Sequence, residues 1–350
     1  MVKMAPVISA LRSRLPDGKH VVVHTGQHYD ELMSSVFLDE LSVPAPDYAL
    51  AVGSGAHAAQ TALVVERMAP VLAAEQPDLV LVPGDVNSSL GAALAAAAAG
   101  VPIAHVESGL RSFDRSMPEE TNRIVVDELS SLLFLHSDEA VENLRAEGVD
   151  EGRIRFVGNT MIDTLVALEG EIRARGRAEE MGLGRGGYLL VTLHRPALVD
   201  GPLLAEAVGH LRAFARELPV LFPVHPRTRA RLEALGVDPG EVKLTDPVGY
   251  IDFLSLEADA AAVLTDSGGI QEETTFLGVR CFTLRANTER PVTVRSGTNV
   301  LLGLDPARIA DIPALLAEQP AATTSPPLWD GRAAERIADE VERSIAARVS

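Results

Sequence analysis

Residues 260–277 read A-A-A-V-L-T-D-S-G-G-I-Q-E-E-T-T-F-L. The short apolar run Ala260 to Leu264 predicts a buried strand, a Ser-Gly-Gly turn follows, and Ile270 to Leu277 fits a helix. A strand that turns directly into a helix leaves unpaired N–H groups at the positive end of the helix dipole, which suits phosphate. Gly268 and Gly269 let a bulky anion approach the main chain with no Cβ in the way. Glu272 and Glu273 stand in the first helical turn, within reach of sugar hydroxyls. The same string also reads as an ordinary helix start, with Ser267 as N-cap and the glutamates complementing the dipole. The rest of the chain has to decide between the two.

Working outward, apolar and β-branched runs recur with helical segments between them. One series is His20–Thr25, Leu79–Pro83, Ile103–Val106, Leu132–His136 and Ile154–Val157; a second is Tyr188–Leu193, Val220–Val224, Val242–Leu244, Ala261–Thr265 and Val279–Leu284. Continuous apolar strands alternating with helices predict parallel sheets covered on both faces. The charged, Gly-rich segment Glu169–Gly187 separates the two series. The expected fold is α/β, with two doubly wound domains facing a cleft: residues 1–165, residues 166–331 and a closing helix within 332–350 that packs back on the first domain. An irregular crossing over 319–331 precedes that helix. In such sheets ligands bind beyond the carboxyl ends of the strands. Here those ends carry H-T-G-Q-H (24–28), P-G-D (83–85), H-V-E-S-G (105–109), T-L-H-R (192–195), P-V-H-P-R (223–227) and T-D-S-G-G (265–269).

Composition removes several classes. At 350 residues the chain is long for one core, and 47% apolar content excludes a disordered protein. A net charge of −18 argues against a nucleic-acid surface, and a site for a diphosphate must then concentrate its few cations locally. No run is long and apolar enough to span a membrane; Ala92–Ala99 reads as a short helix packed closely on a sheet. Cys281 is the one cysteine, so there is no internal disulfide and no zinc spacing, which fits the cytoplasm. The chain carries no P-loop, no dinucleotide-binding glycine fingerprint and no nucleophile elbow. Acid–base chemistry by side chains on a phosphate-bearing substrate remains, and sugar nucleotides fit it best.

Asp85 and Glu107 follow two successive strands, which brings their carboxylates close and lets one hold a proton while another acts as base. Alternatively Asp85 caps a loop and Glu107 pairs with Arg111. In M-P-E-E-T-N-R (117–123) Pro118 takes the first helical position, with Glu119 and Glu120 in the first turn. His194 and Arg195 end a strand and can hold a diphosphate or assist proton transfer, and His225, Arg227 and Arg290 again place cations at strand ends or loops. Tyr250 and Phe253 can pack against a base ring, with core packing the alternative for at least one of them.

Together the strings G-Q-H-Y-D (26–30), P-G-D-V-N-S-S (83–89), H-V-E-S-G-L-R-S-F-D-R-S-M-P-E-E-T-N-R (105–123), G-N-T-M-I-D-T (158–164), T-L-H-R-P (192–196), P-V-H-P-R-T-R (223–229), L-T-D-S-G-G-I-Q-E-E-T (264–274) and N-T-E-R-P-V-T-V (287–294) resemble the UDP-N-acetylglucosamine 2-epimerase family, in that family's order. The resemblance implies a glycosyltransferase-B-like pair of Rossmann-type domains, a homodimer, and no cofactor or metal. It also implies inversion at C2 by loss of its proton as UDP departs from C1, with a glucal intermediate that takes UDP back. Matched by motif, Asp85, Glu107 and Glu119 are the acid–base carboxylates, His194 is the histidine beside the diphosphate, and Lys3 is the lysine of K-M-A-P-V. His225, Ser267, Gly268, Gly269, Glu273 and Arg290 match positions that hold UDP, with Arg195 and Phe253 as further substrate contacts. Gln27 matches a position that some bacterial members use for an activating UDP-sugar.

Two departures accompany the match. The family opens with a further strand and G-T-R-P-E ahead of the segment matched by Val2-Lys3-Met4, so the sequence as read is expected to start downstream of its first strand. Relatives often carry an Asn after His-Arg-Pro, where this chain has A-L-V-D (197–200), placing Leu198 near the site. The leading expectation is formation of UDP-N-acetylmannosamine from UDP-N-acetylglucosamine. The alternatives are a hydrolysing 2-epimerase, a 2-epimerase for a decorated UDP-sugar, a UDP-dependent glycosyltransferase and a non-catalytic nucleotide-sugar sensor.

Overall fold

A computed structural model describes residues 1–26, 40, 41, 43–318 and 324–349. Gln27, the rest of the 27–30 string and residues 319–323 of the expected crossing lie outside the described residues. The chain divides into two compact units, Met1–Val166 with Pro327–Ser350, and Ala167–Pro326.

The first unit holds β1 (Val23–His24), β2 (Tyr48–Ala49), β3 (Val80–Pro83), β4 (Ile103–Val106), β5 (Leu132–Leu135) and β6 (Ile154–Phe156). β3 to β6 form a parallel sheet in sequence order, while β1 and β2 pair separately, also parallel. Alternate residues of a strand point to opposite faces. Val80, Val82 and Ile103 accordingly enter one core with the helix His57–Glu75, and Ala104, Val106, Leu132 and Phe134 enter another with the helix Ala333–Val349. Both faces are apolar, which is why these strands read as unbroken hydrophobic runs.

The alanine-rich helix Asn87–Ala98 packs against a second helix as well as the sheet. A Cβ on Gly91 would lie 2.6 Å from Val64 Cβ, so glycine is what permits that approach. The helix Ala333–Val349 belongs to the first unit. Its first turn is capped by the buried Asp163, which accepts the N–H groups of Ala333 at 3.1 Å and Ala334 at 2.6 Å. Arg155 pairs with Glu340 at 2.9 Å, and Trp329 Nε1 donates to the His136 carbonyl at 2.9 Å.

The second unit holds β7 (Leu189–Thr192), β8 (Val220–Pro223), β9 (Lys243–Thr245), β10 (Ala262–Thr265), β11 (Arg280–Thr283) and β12 (Asn299–Leu301). All are parallel, in the order β12-β11-β10-β7-β8-β9. This is a doubly wound sheet that starts in the middle at β7, builds outward to β9, then returns to build outward from β10. Leu189, Val191, Phe222 and Leu264 enter one core; Leu190, Leu221 and Val263 enter the other. The order reverses between β7 and β10, and at such a switch point the two following loops diverge to opposite faces and leave a crevice.

Every strand expected from sequence is present: Ile103–Val106 has the expected bounds, Val242–Leu244 is shifted by one to Lys243–Thr245, and the others are trimmed by one to four residues. β2 and β12 were not among the strands expected from sequence. Leu198, the residue at the departure after His-Arg-Pro, is fully buried in the core of the second unit. Replacing Asp163 by Ala removes the cap of the closing helix and is expected to destabilise the protein by about 1–2 kcal/mol. Chemical denaturation reads this directly, and an unchanged unfolding midpoint would contradict the capping role.

Candidate active site

In the first unit the β3 and β4 ends lie side by side, with Val106 opposite Pro83 in the ladder. Asp85 leaves β3 through Gly84, whose φ of +60° is the left-handed conformation that glycine accepts. Glu107 leaves β4 with φ +67°, a strained conformation for a glutamate of the kind that concentrates at functional sites. Its carboxylate pairs with Lys3 rather than with Arg111. A Cβ on Gly84 would sit 3.3 Å from Glu107 Oε2 and 3.4 Å from Lys3 Nζ, so the residue before Asp85 is where this pair docks. Lys3 and Glu107 also border a small cavity of about 10 Å³, lined by His136, Asn159 and Thr160, with room for about one water.

Asp85 itself pairs with Arg123, whose Nε donates at 3.1 Å. Arg123 reaches Glu120 with its other arm at 2.8 Å. Glu120 is buried and accepts the N–H groups of Ser112 and Phe113 at 2.8 and 2.9 Å, fixing the loop that links β4 to the helix Pro118–Leu129. Pro118 opens that helix as the sequence predicted. The neighbouring Glu119 is half-buried and makes no hydrogen bond among the described residues, so its carboxylate stays available.

Beneath these groups lies a buried network that sequence reading did not single out. His105, within β4, meets Asp127 with Nδ1 at 2.6 Å and the Gly84 carbonyl with Nε2 at 2.8 Å. Both partners offer acceptor oxygens, so the ring bridges the Asp127 carboxylate and the Gly84 carbonyl. Asp127 also takes Arg111 at 2.7 Å and the Gly109 N–H at 3.2 Å. Burial pushes the Asp127 pKa up, but His105 and Arg111 override it and hold the carboxyl below its ordinary value. Arg111 spends its other arm on Glu147 at 2.6 Å, which explains why it is not the partner of Glu107.

In the second unit the β7 and β10 ends are joined by Asp266. Its buried carboxylate accepts the N–H groups of His194 and Arg195 at 2.9 and 2.8 Å, and His194 Nδ1 lies 3.0 Å away. With Nδ1 committed to Asp266, the exposed Nε2 edge of the imidazole is left for proton transfer or a phosphate oxygen. Arg195 Nε donates to the Asp266 carbonyl at 2.9 Å. Burial lowers the Arg195 pKa and the nearby Arg285 guanidinium adds to this, against Glu289 and Asp266. A cation held in that state gains from an incoming anion.

Ser267 occupies the N-cap position of the helix Gly268–Leu277, but its side chain makes no capping bond, which corrects the capped-helix reading. Gly268 admits Arg290: a Cβ there would lie 2.4 Å from Arg290 Nη1. Arg290 in turn meets the buried Glu272 at 3.1 Å. Glu273 faces inward and accepts the Tyr250 hydroxyl at 2.7 Å; Tyr250 is buried, whereas Phe253 packs half-buried against the core that holds Leu190 and Val263. Gly269 is half-buried beside Gly268. His225 is exposed at the start of the helix Pro226–Ala234, where its Nδ1 accepts the Arg227 N–H at 3.2 Å. Arg195, Arg285 and Arg290 thus gather cations around one helix start in a strongly acidic chain.

The first unit carries ion-paired carboxylates at adjacent strand ends, and the second carries a helix start with cations beside it. Residues 12–342 match the family model described as UDP-N-acetylglucosamine 2-epimerase. The chain is 40% identical over 323 residues to the UDP-N-acetylglucosamine 2-epimerase of Methanococcus maripaludis, covering 88% of this chain and 86% of the relative. It is 41% identical over 290 residues to the UDP-2,3-diacetamido-2,3-dideoxy-D-glucuronate 2-epimerase of Pseudomonas aeruginosa, covering 81% and 80%. The crystal structure of the Methanocaldococcus jannaschii UDP-GlcNAc 2-epimerase in complex with UDP-GlcNAc and UDP superposes with a TM-score of 0.86 at 37% identity, covering 98% of this chain and 96% of that one. The fold is of the glycosyltransferase-B-like type.

Gly268→Ala is expected to push Arg290 off the helix start and strand the buried Glu272, costing about 1–3 kcal/mol. Thermal unfolding measures it; wild-type stability would show that Arg290 rests elsewhere.

Proposed function

The chain belongs to the UDP-N-acetylglucosamine 2-epimerase family, and we propose that it interconverts UDP-N-acetylglucosamine and UDP-N-acetylmannosamine without releasing free sugar. The observation that carries this reading is the pair of ion-paired carboxylates at adjacent strand ends, Asp85 on Arg123 and Glu107 on Lys3. Removing the C2 proton needs a base on one face of the sugar, and returning it to the other face needs an acid. Asp85, Glu107 and Glu119 supply three candidate groups for these two roles. Arg123 and Lys3 pair with two of them and hold them at the strand ends.

Loss of the C2 proton is coupled to departure of UDP from C1. The leaving diphosphate carries the charge that develops, so donors fixed in advance lower the barrier. In the second unit the Ser267–Gly269 helix start, Arg195, Arg290 and His194 are assigned to the diphosphate, His225 to the nucleotide, Glu273 to the ribose and Phe253 to the base. A glucal and bound UDP result, and re-addition of UDP with protonation from the other face gives the epimer. Retention of both products is what separates this course from hydrolysis. We also infer a homodimeric cytoplasmic enzyme, supported by the family resemblance and by the sole, buried Cys281. Among the described residues no helix is long and apolar enough to cross a membrane.

A second reading is 2-epimerisation of a UDP-sugar further substituted at C3 and C6. It is supported by the similar identity to the diacetamido-glucuronate 2-epimerase, 41% against 40%. Direct comparison of kcat/KM on the two UDP-sugars separates the readings.

In deuterated water, UDP-N-acetylglucosamine is expected to gain deuterium at C2 and to remain a mixture of two UDP-sugars by NMR. Asp85→Asn and Glu107→Gln are each expected to slow that exchange by about 100-fold or more. Free N-acetylmannosamine with stoichiometric UDP would establish the hydrolysing course, and absence of C2 exchange would contradict epimerisation.

A further inference from the structure

The core of the second unit contains acidic groups that the proposed chemistry does not use. Tyr250 and Glu257 lie on one face of the helix Tyr250–Asp259, two turns apart, and the structure turns that face toward Glu273 on the helix Gly268–Leu277. The Tyr250 hydroxyl donates to Glu273 Oε1 at 2.7 Å. Glu257 is fully buried, and neither of its carboxyl oxygens has a hydrogen-bond partner. An ionised carboxylate without a partner is too costly to keep in such a place, so Glu257 holds its proton. Glu272, which is paired with Arg290, also acts on Glu273, and the buried thiol of Cys281 on β11 feels the charge of Glu257.

We propose that Tyr250 is a positioning residue for nucleotide binding. Its hydroxyl holds Glu273 in the carboxylate form that a ribose diol requires, and this couples UDP-sugar affinity to a proton at that carboxyl. The proposal rests on the assignment of Glu273 to the ribose. Two vicinal hydroxyls donate to a carboxylate, whereas a protonated carboxyl offers a competing donor in the same place. Binding therefore selects the ionised form and expels the proton.

The sign of the effect follows from the surroundings. Burial raises the Glu273 pKa to about 7; the Tyr250 hydroxyl bond pulls it down and the charge of Glu272 pushes it up. Glu257 is pushed well above its ordinary value by burial and by Glu273, so it adds no second charge in the same range. A ligand that prefers the carboxylate binds more tightly as pH rises through the pKa of the free protein. Without the tyrosine donor the carboxyl protonates more readily, and the rise in affinity moves to higher pH.

The test is calorimetric titration with UDP-N-acetylglucosamine from about pH 6 to about pH 8.5, a range in which its esterified diphosphate does not titrate. Wild-type protein, Tyr250→Phe and Glu273→Gln are compared, with circular dichroism confirming that each is folded. Wild-type affinity is expected to rise by about 10-fold across the range. Tyr250→Phe is expected to bind about 10-fold more weakly near pH 6.5 and to recover to within about 3-fold of wild type at the alkaline end. Glu273→Gln is expected to bind weakly with its share of the pH dependence gone. A Tyr250→Phe loss of equal size at every pH, or none at any, would overturn the proposal while leaving the ribose assignment standing. Wild-type affinity in Glu273→Gln would overturn the ribose assignment itself, and with it the proposal.

Discussion

The carboxylate of Asp266 is the group on which the edge of the second unit proposed to bind the nucleotide depends. It is buried at the point where the sheet order reverses, and it gathers two backbone N–H groups and an imidazole from the end of β7. A parallel sheet places all its strand ends at one edge, but the loops that leave them diverge to opposite faces. Something must tie β7 and β10 together there if His194, Arg195 and the Gly268 helix start are to act on one diphosphate. A carboxylate suits this role because it accepts several donors at once and repays its own burial by doing so.

The first unit solves the same problem with a second carboxylate. Asp127 binds His105, Arg111 and the Gly109 N–H, and His105 reaches on to the Gly84 carbonyl. The peptide before Asp85 and the loop after Glu107 are thereby anchored to one buried cluster, while the carboxylates of Asp85 and Glu107 engage Arg123 and Lys3. Removal of either buried acid would leave its cations without partners, which costs more than the pairing contributes.

The alternation of apolar strands with helices made the fold legible, because a parallel sheet buried on both faces must read that way. The strand ends were legible for the same reason: polar residues that interrupt an apolar run at its carboxyl end mark the binding edge. Partnership was not legible. The alternative that paired Glu107 with Arg111 fails because Glu107 is turned by its left-handed backbone toward Lys3, and Arg111 is drawn to Asp127 and Glu147. Glu119 and Glu120 are adjacent in one helical turn, and no sequence pattern says which of them faces the loop. The structure gives Glu120 to Ser112, Phe113 and Arg123. Tyr250 was read as a base-stacking or core residue; its hydroxyl bond to Glu273 depends on the packing of two helices, which sequence does not specify.

The central claim is that inversion at C2 proceeds through cleavage of the bond between C1 and the diphosphate oxygen, with both fragments retained. UDP-N-acetylglucosamine labelled with oxygen-18 in that bridging position tests it most directly. If UDP departs and returns, the label scrambles into the non-bridging oxygens of the β-phosphate as the epimer forms, and phosphorus NMR reports the change. Inversion at C2 with the label still wholly in the bridge would contradict elimination and re-addition.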